Sequence, residues 1–260
     1  ITPESINMFD DRYEVILADN EAARQIHHQV RYKVYCLEEG FEDQSHFDNN
    51  EERDEWDAHS VHFTVRTKHS KEWVAAMRMV VRGPEGLPIE QMCHIDPLAA
   101  PTDQSTAEIS RLCIVDEYRR GKQTHTSTQK VTTPHLYDVK EARPPAVNER
   151  HHKSEIILGL LRAAVDYSYE HDISNWYFLT TPALARIINR LCIQLVKVGS
   201  PCDHRGVRYP FFANLKEAEK QATQGCSMIA EWRKLAVKSY LRFSELDRSI
   251  FNPSREILVA

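Results

Sequence analysis

Apolar and polar residues recur with two different periods along this chain, and each change of period marks an element. Residues 13–18 (YEVILA) read as a short strand, after which Asp19 or Asn20 supplies an N-cap for a helix running to about Glu38. Ala22, Ile26, Val30 and Val34 form its expected buried stripe, and Arg31 and Tyr35, one turn apart, share another face. Between residues 39 and 60 no period fits. Glu, Asp, Asn and His dominate there, with Phe41, Phe47 and Trp56 interspersed, which describes a long binding loop or lid rather than a disordered tract. Val61, Phe63 and Val65 then alternate with His62, Thr64 and Arg66, predicting a strand with one buried face. A turn at 68–71 leads into a second strand over 73–82 (WVAAMRMVVR), antiparallel to the first.

The stretch 107–115, AEISRLCIV, places two opposite charges inside a run otherwise fit for burial. In a regular strand Glu108, Ser110, Leu112 and Ile114 face one way and Ile109, Arg111, Cys113 and Val115 the other. For Glu108 and Arg111 to serve one site the strand needs a bulge between them, and that bulge is predicted. A buried structural ion pair or a charged edge strand is the alternative. Arg78, at the centre of its apolar strand, calls for a carboxylate partner, either Glu108 or the Asp54/Asp57 pair that frames Trp56.

The remaining pattern is simpler. Residues 83–103 hold Pro84, Pro88, Pro97 and Pro101 and read as a connection with a helical turn near 89–93. Residues 117–153 are polar and read as an inserted loop, either poorly ordered or fixed only by a partner, with basic ends: Arg119, Arg120 and Lys122 at one, Arg150, His151, His152 and Lys153 at the other. Those ends either make a site for a phosphate or an acidic protein, or are solvated charge. Ser154 is the expected N-cap of a helix over 155–170 with Ile157, Leu160, Leu161 and Ala164 on its core stripe, and its first amides could hold a phosphate. A strand at 175–181, a helix opened by Pro182, and strands at 193–199 and 207–213 follow. From 216 onward the pattern is helical, with Ile229, Trp232, Leu235, Ala236 and Tyr240 on one side.

Composition narrows the class of partner. At 260 residues, 42% hydrophobic and 27% charged, the chain fits one large α/β domain or two small ones, and whole-chain disorder is excluded. A net charge of -5 gives no reason to expect nucleic acid, and no apolar run approaches the roughly 20 residues of a membrane span. Cys36, Cys93, Cys113, Cys192, Cys202 and Cys226 are scattered without a CxxC, which predicts reduced thiols in a cytoplasmic protein. A removed leader before Ile1 is not expected. His59 and His62 have a metal-like spacing but no further ligand follows in a recognisable pattern, so no metal is expected.

Four motifs stand in order over residues 24–115: Arg31, Tyr35 and Gly40-Phe41; Asp54, Trp56 and Asp57; Arg78-Met79; and Glu108, Ser110 and Arg111. In this they resemble the acyl-homoserine-lactone synthases of the GNAT acyltransferase superfamily. The resemblance is closer still to the N-acyl amino acid synthases and the PEP-CTERM/exosortase system-associated acyltransferases. It implies an α/β fold with a mixed α+β sheet: a three-layer α/β/α arrangement with a splayed central sheet over residues 1–215, interrupted by the 117–153 insertion and followed by a helical extension at 216–260.

The reaction it implies is attack of an amino acid or related amine on the thioester of an acyl-carrier-protein or acyl-CoA co-substrate, with no tightly bound cofactor. Glu108, Arg111 and Arg78 would be catalytic, with Glu108 the base. Arg31, Tyr35, Phe41, Asp54, Trp56, Asp57 and Ser110 would bind substrate. Arg119, Arg120, Lys122, Arg150 and Lys153 would hold the carrier. Phe41 and Met79 replace the family's usual Trp and Leu, which weakens a lactone synthase using S-adenosylmethionine as the alternative. Arg119-Arg120-Gly121 leads into Lys122-Gln123 rather than a Gly-rich phosphate loop, which favours the carrier protein as donor. A catalytically inactive acyl-binding or regulatory module is the third reading. Cys113 lies close to the site in sequence, with no His fixed beside it for thiol catalysis.

Overall fold

A computed structural model describes residues 3–97, 105–120, 152–190, 193–222 and 238–246. Its strands are β1 (Tyr13–Leu17), β2 (Ser60–Thr67), β3 (Trp73–Val81), β4 (Thr106–Ile114), β5 (Asn175–Thr180), β6 (Val196–Lys197), β7 (Cys202–Asp203), β8 (Val207–Asn214) and β9 (Leu241–Arg242). The helices are α1 (Pro3–Arg12), α2 (Glu21–Tyr32), α3 (Pro88–Met92), α4 (Asp116–Arg120), α5 (His152–Glu170), α6 (Pro182–Arg190) and α7 (Leu215–Ala222). One sheet runs in the order β6-β8-β5-β4-β3-β2-β1-β9, with β7 beside β8. β1 to β4 pair antiparallel, β4 and β5 parallel, and β5 and β8 antiparallel.

The sheet is buried on both faces, which gives three layers. Ile157, Leu160, Leu161 and Ala164 of α5 pack with Phe63, Val65, Met77, Met79 and Ile109 on one face. Gly159 permits the ring of Phe9 in α1 to lie against α5, since a Cβ there would meet that ring. On the opposite face Val30 and Val34 pack against Ala76 and Cys113. α2 begins at Asn20, whose side chain accepts the Ala23 amide at 3.0 Å. It runs on into a π-helical turn, Lys33–Glu38, that ends near Gly40 at φ 61°.

Several sequence expectations need correction. Ile26, Val30 and Val34 of the expected α2 stripe are buried, but Ala22 is exposed and Ala23 is buried in its place. β2 has no solvent-facing side: His62, Thr64 and Arg66 are buried too, His62 against His27 and His28 of α2 and Arg66 against Glu14 and Trp73. α5 starts at His152, so Ser154 lies inside its first turn, and the buried Glu155 there takes both carboxylate oxygens to Arg12, at 2.9 and 2.7 Å. That first turn is therefore anchored to α1. The start of the chain, expected to be merely polar, carries α1. The strand expected at 193–199 shrinks to β6. The extension expected to be helical contributes β9, parallel to β1, and buries Tyr240 beside it in the main core. Residues 223–237, with the rest of the expected apolar stripe, lie outside the described residues.

Cys93 and Cys202 are disulfide-bonded across 109 residues of chain, so the expectation of reduced thiols fails for this pair. It fails because the pairing joins the end of α3 to β7, elements whose proximity no spacing rule reports. Cys36 and Cys113 are free and buried. No helix among the described residues is long and apolar enough to cross a membrane.

Candidate active site

The charged motifs meet on the α2 side of the sheet. β3 and β4 stay in register from Val81↔Ala107 to Arg78↔Ser110, then resume at Ala76↔Cys113. Met77 thus stands opposite both Arg111 and Leu112, which is the anticipated bulge. Arg111 takes φ 50°, a left-handed conformation that costs a non-glycine residue about 1–2 kcal/mol. The interruption puts Arg111 beside Glu108 and Ser110 in the wall of one cleft.

Three arginines and three carboxylates lock together there. Arg31 donates Nε to Glu52 and Nη1 to Asp57 Oδ1 at 2.5 Å. Arg78 donates Nη1 to Asp54 and to Asp57 (3.0 Å), and Nε to Ser110 Oγ at 3.1 Å. Arg111 reaches Glu52 through Nε at 3.1 Å and Asp54 through Nη2 at 2.9 Å. Asp54 and Asp57 also cap a 3-10 turn, Glu55–His59, by accepting the Trp56 and Asp54 amides, which fixes the acidic loop against the sheet. Arg31 and Arg78 are 0% and 1% exposed, so removing any partner would strand a buried charge. Burial alone would raise the Asp57 carboxyl; the hydrogen bond from His62 and the Arg31 and Arg78 guanidiniums hold it far below the usual carboxylate range.

Glu108 stands apart from this lattice. Its Oε2 accepts the Ile89 amide of α3 at 2.7 Å. Burial pushes its carboxyl up to about 7, more than the Ile89 amide and the Arg78 and Arg111 charges pull it down. A carboxyl of that affinity exchanges protons near neutrality. Burial pushes the Cys113 thiol up to about 12, which leaves it without thiolate character.

The cleft measures about 500 Å³. It opens where β4 and β5, paired from Thr106↔Asn175 to Ile109↔Phe178, run out of register, the splay expected for the fold. Its polar wall carries Asp54, Arg78, Glu108, Ser110 and Arg111, and its apolar walls include Ile109, Leu112, Ile157, Phe178 and Leu184. Tyr35, Phe41 and Trp56 line it too, with Arg111 at 5.8 Å and Arg205 at 5.3 Å from the Tyr35 ring. Arg31 and Asp57 act from behind the wall. Of the expected carrier-binding residues, Lys153 and Arg119 line the cleft, although Arg119 is already paired with Glu39 and Asp116. Lys122, Arg150 and the Arg120 side chain lie outside the described residues.

Sequence reasoning missed Glu52, which bridges Arg31 and Arg111, because nothing sets it apart from Glu51 in an acidic run. It missed Arg205, which pairs with Glu42, and its neighbours His204 and Arg208, all in the cleft wall. It also missed His27 and His28. His62 clusters with these two, and His59 is outside the group.

Residues 30–129 match the family model described as an acetyltransferase (GNAT) domain. No curated protein matches the chain. Among solved structures, TofI in a ternary complex with an inhibitor and MTA aligns at 15% identity and TM-score 0.53, over 78% of this chain and 91% of that one. The acyl-homoserine-lactone synthase LasI aligns at 15% and 0.52, over 78% and 90%. BjaI, a CoA-dependent acyl-homoserine lactone synthase with SAM and isopentyl-CoA, aligns at 12% and 0.51, over 86% and 99%. The fold is GNAT-like. Within the GNAT-like fold the cleft sits at the splay between its parallel strands, and the charged lattice forms one wall of it.

Proposed function

We propose that this chain is an N-acyltransferase that moves a fatty acyl group from a carrier-protein or CoA thioester to the amine of an amino acid or related small molecule. The observation that carries the reading is Glu108, a buried carboxyl raised to about 7, at the junction of a charged wall and an apolar cleft. The GNAT domain match and the likeness in fold to lactone synthases support an acyltransferase. The narrower placement, with PEP-CTERM/exosortase system-associated acyltransferases and a carrier protein as donor, rests on the motif order.

In this mechanism the acceptor's ammonium yields a proton to Glu108, directly or through a water, and the free amine attacks the thioester carbonyl. Backbone amides at the Arg111–Leu112 interruption stabilise the oxyanion. The C–N bond forms, the C–S bond breaks, the thiolate leaves with a proton, and the net proton goes to solvent. Arg78 and Arg111 orient Asp54, which faces the cleft and suits the acceptor's amine. Arg31 acts through Asp57 and Glu52, as a positioning residue. The apolar walls hold the acyl chain.

The test is mass spectrometry of products from long-chain acyl carrier protein, or acyl-CoA, with an amino acid mixture. N-acyl amino acids from the wild type and none from Glu108→Ala or Arg111→Ala support the reading. A lactone formed from S-adenosylmethionine would replace it with the lactone synthase, and binding of acyl thioester without turnover of any amine would make the chain a binding module.

A further inference from the structure

Three histidines from two distant parts of the sequence meet between α2 and β2. His27 and His28 come from the helix and His62 from the strand, and they are 0%, 3% and 1% exposed. Their ring centroids lie 4.6 to 5.6 Å apart with the planes nearly perpendicular, and one ring nitrogen from each stands within 4.8 Å of the others.

One nitrogen in each of two rings has a partner. His27 Nε2 lies 3.3 Å from the Met77 carbonyl oxygen and His62 Nε2 lies 3.2 Å from Asp57 Oδ1. Both partners only accept, so each Nε2 carries the hydrogen and each Nδ1 keeps its lone pair. His27 Nδ1 and both nitrogens of His28 have no hydrogen-bond partner, although fully buried. An unsatisfied buried nitrogen costs about 1–3 kcal/mol, and three in one cluster need an occupant.

We propose that His27, His28 and His62 form a binding site for a divalent transition-metal ion of the zinc class. Three neutral imidazoles suit zinc and neighbouring first-row ions and are poor ligands for magnesium or calcium. With Nδ1 as the ligand atom of His27 and His62, the Met77 carbonyl and the Asp57 carboxylate hold the opposite Nε2–H groups, as such sites require. Bringing the nitrogens to about 2.0–2.1 Å from an ion asks the rings to close by roughly 1 Å. The Arg31 guanidinium nearby is matched by Glu52 and Asp57 and does not repel the ion unopposed. The cluster does not line the cleft, so the ion is structural: it staples α2 to the sheet and, through His62, steadies Asp57 behind the charged wall. The site is independent of the proposed reaction.

The test uses the full chain, stripped with chelator and titrated with zinc against a chromophoric competitor, with cobalt(II) as a spectroscopic stand-in. One equivalent bound tightly, a visible cobalt d–d band of nitrogen ligation, and a melting temperature raised by zinc are expected. His27→Gln and His62→Gln should each weaken binding at least tenfold, while the exposed His69→Gln leaves it unchanged. No stoichiometric binding by the wild type, or equal binding by the two buried variants, overturns the site. Should those variants fail to fold, zinc-edge absorption on the wild type decides: three imidazoles support the site and fewer than three overturn it.

Discussion

Glu108 and Arg111 share a strand and line the same cleft because β4 gains one residue opposite Met77. Without that extra residue their side chains would leave opposite faces of the sheet. The left-handed turn at Arg111 is therefore the local cost of gathering the charges, offset by its bonds to Glu52 and Asp54.

That cost can be separated from the side chain's contribution. Arg111→Gly and Arg111→Ala remove the same ion pairs, but only glycine takes φ 50° without strain. Urea unfolding should find the glycine variant more stable than the alanine variant by about 1 kcal/mol, with both losing product at least tenfold. An alanine variant as stable as the glycine one would mean that the turn is not imposed.

The proton affinity of Glu108 gives a pH signature. Its carboxyl is raised by burial to about 7, so the ionised base accumulates as pH rises through that value. Wild-type kcat/KM should climb between about pH 6 and 8, and Glu108→Gln should flatten the profile at low activity. For stability the sign is opposite: the raised pKa contributes stability below the unfolded value near 4.5 and loses it as pH passes 7. Glu108→Gln should accordingly melt higher than the wild type at pH 8 and show little of that gain at pH 5.

The charged lattice should fail when one member is removed. Arg78→Met leaves Asp54 and Asp57 short of a buried partner, and denaturant unfolding should record a loss of about 3–5 kcal/mol. Arg78→Lys should recover only part of it, because one ammonium cannot reproduce the forked contacts to two aspartates and Ser110.

The Cys93–Cys202 bond joins two walls of the cleft. Met92, next to Cys93, and His204, beyond Cys202, both line it. Reduction, or Cys93→Ser, should lower stability by about 2–5 kcal/mol and reduce turnover. Thermal melts with and without reductant measure the first effect, and an unchanged melting temperature would show the bond to be idle.

The strands from β1 to β5, the Asn20 cap and the bulge were legible because alternation, capping residues and charges in apolar runs are local signals, whereas the splay was expected only from the family resemblance. What stayed hidden depends on the third dimension. Arg31 reads as one polar position on an amphipathic helix, yet the acidic loop folds over it and excludes water. His62, Thr64 and Arg66 read as a solvent face because alternation cannot say what packs over it. Glu52 and Glu51 are alike in sequence and differ only in which arginine each meets: Arg31 and Arg111 for the first, Arg53 for the second. Tyr240 joins the core through a short parallel pairing that no nearby pattern announces.

The most direct test compares wild-type protein and Glu108→Gln in one assay, with long-chain acyl carrier protein, an amino acid mixture and mass-spectrometric detection of the amide. With Glu108 as the base, the wild type forms an N-acyl amino acid and the variant, folded and still binding the acyl thioester, forms at least a hundredfold less. Equal turnover by the two proteins would contradict that role.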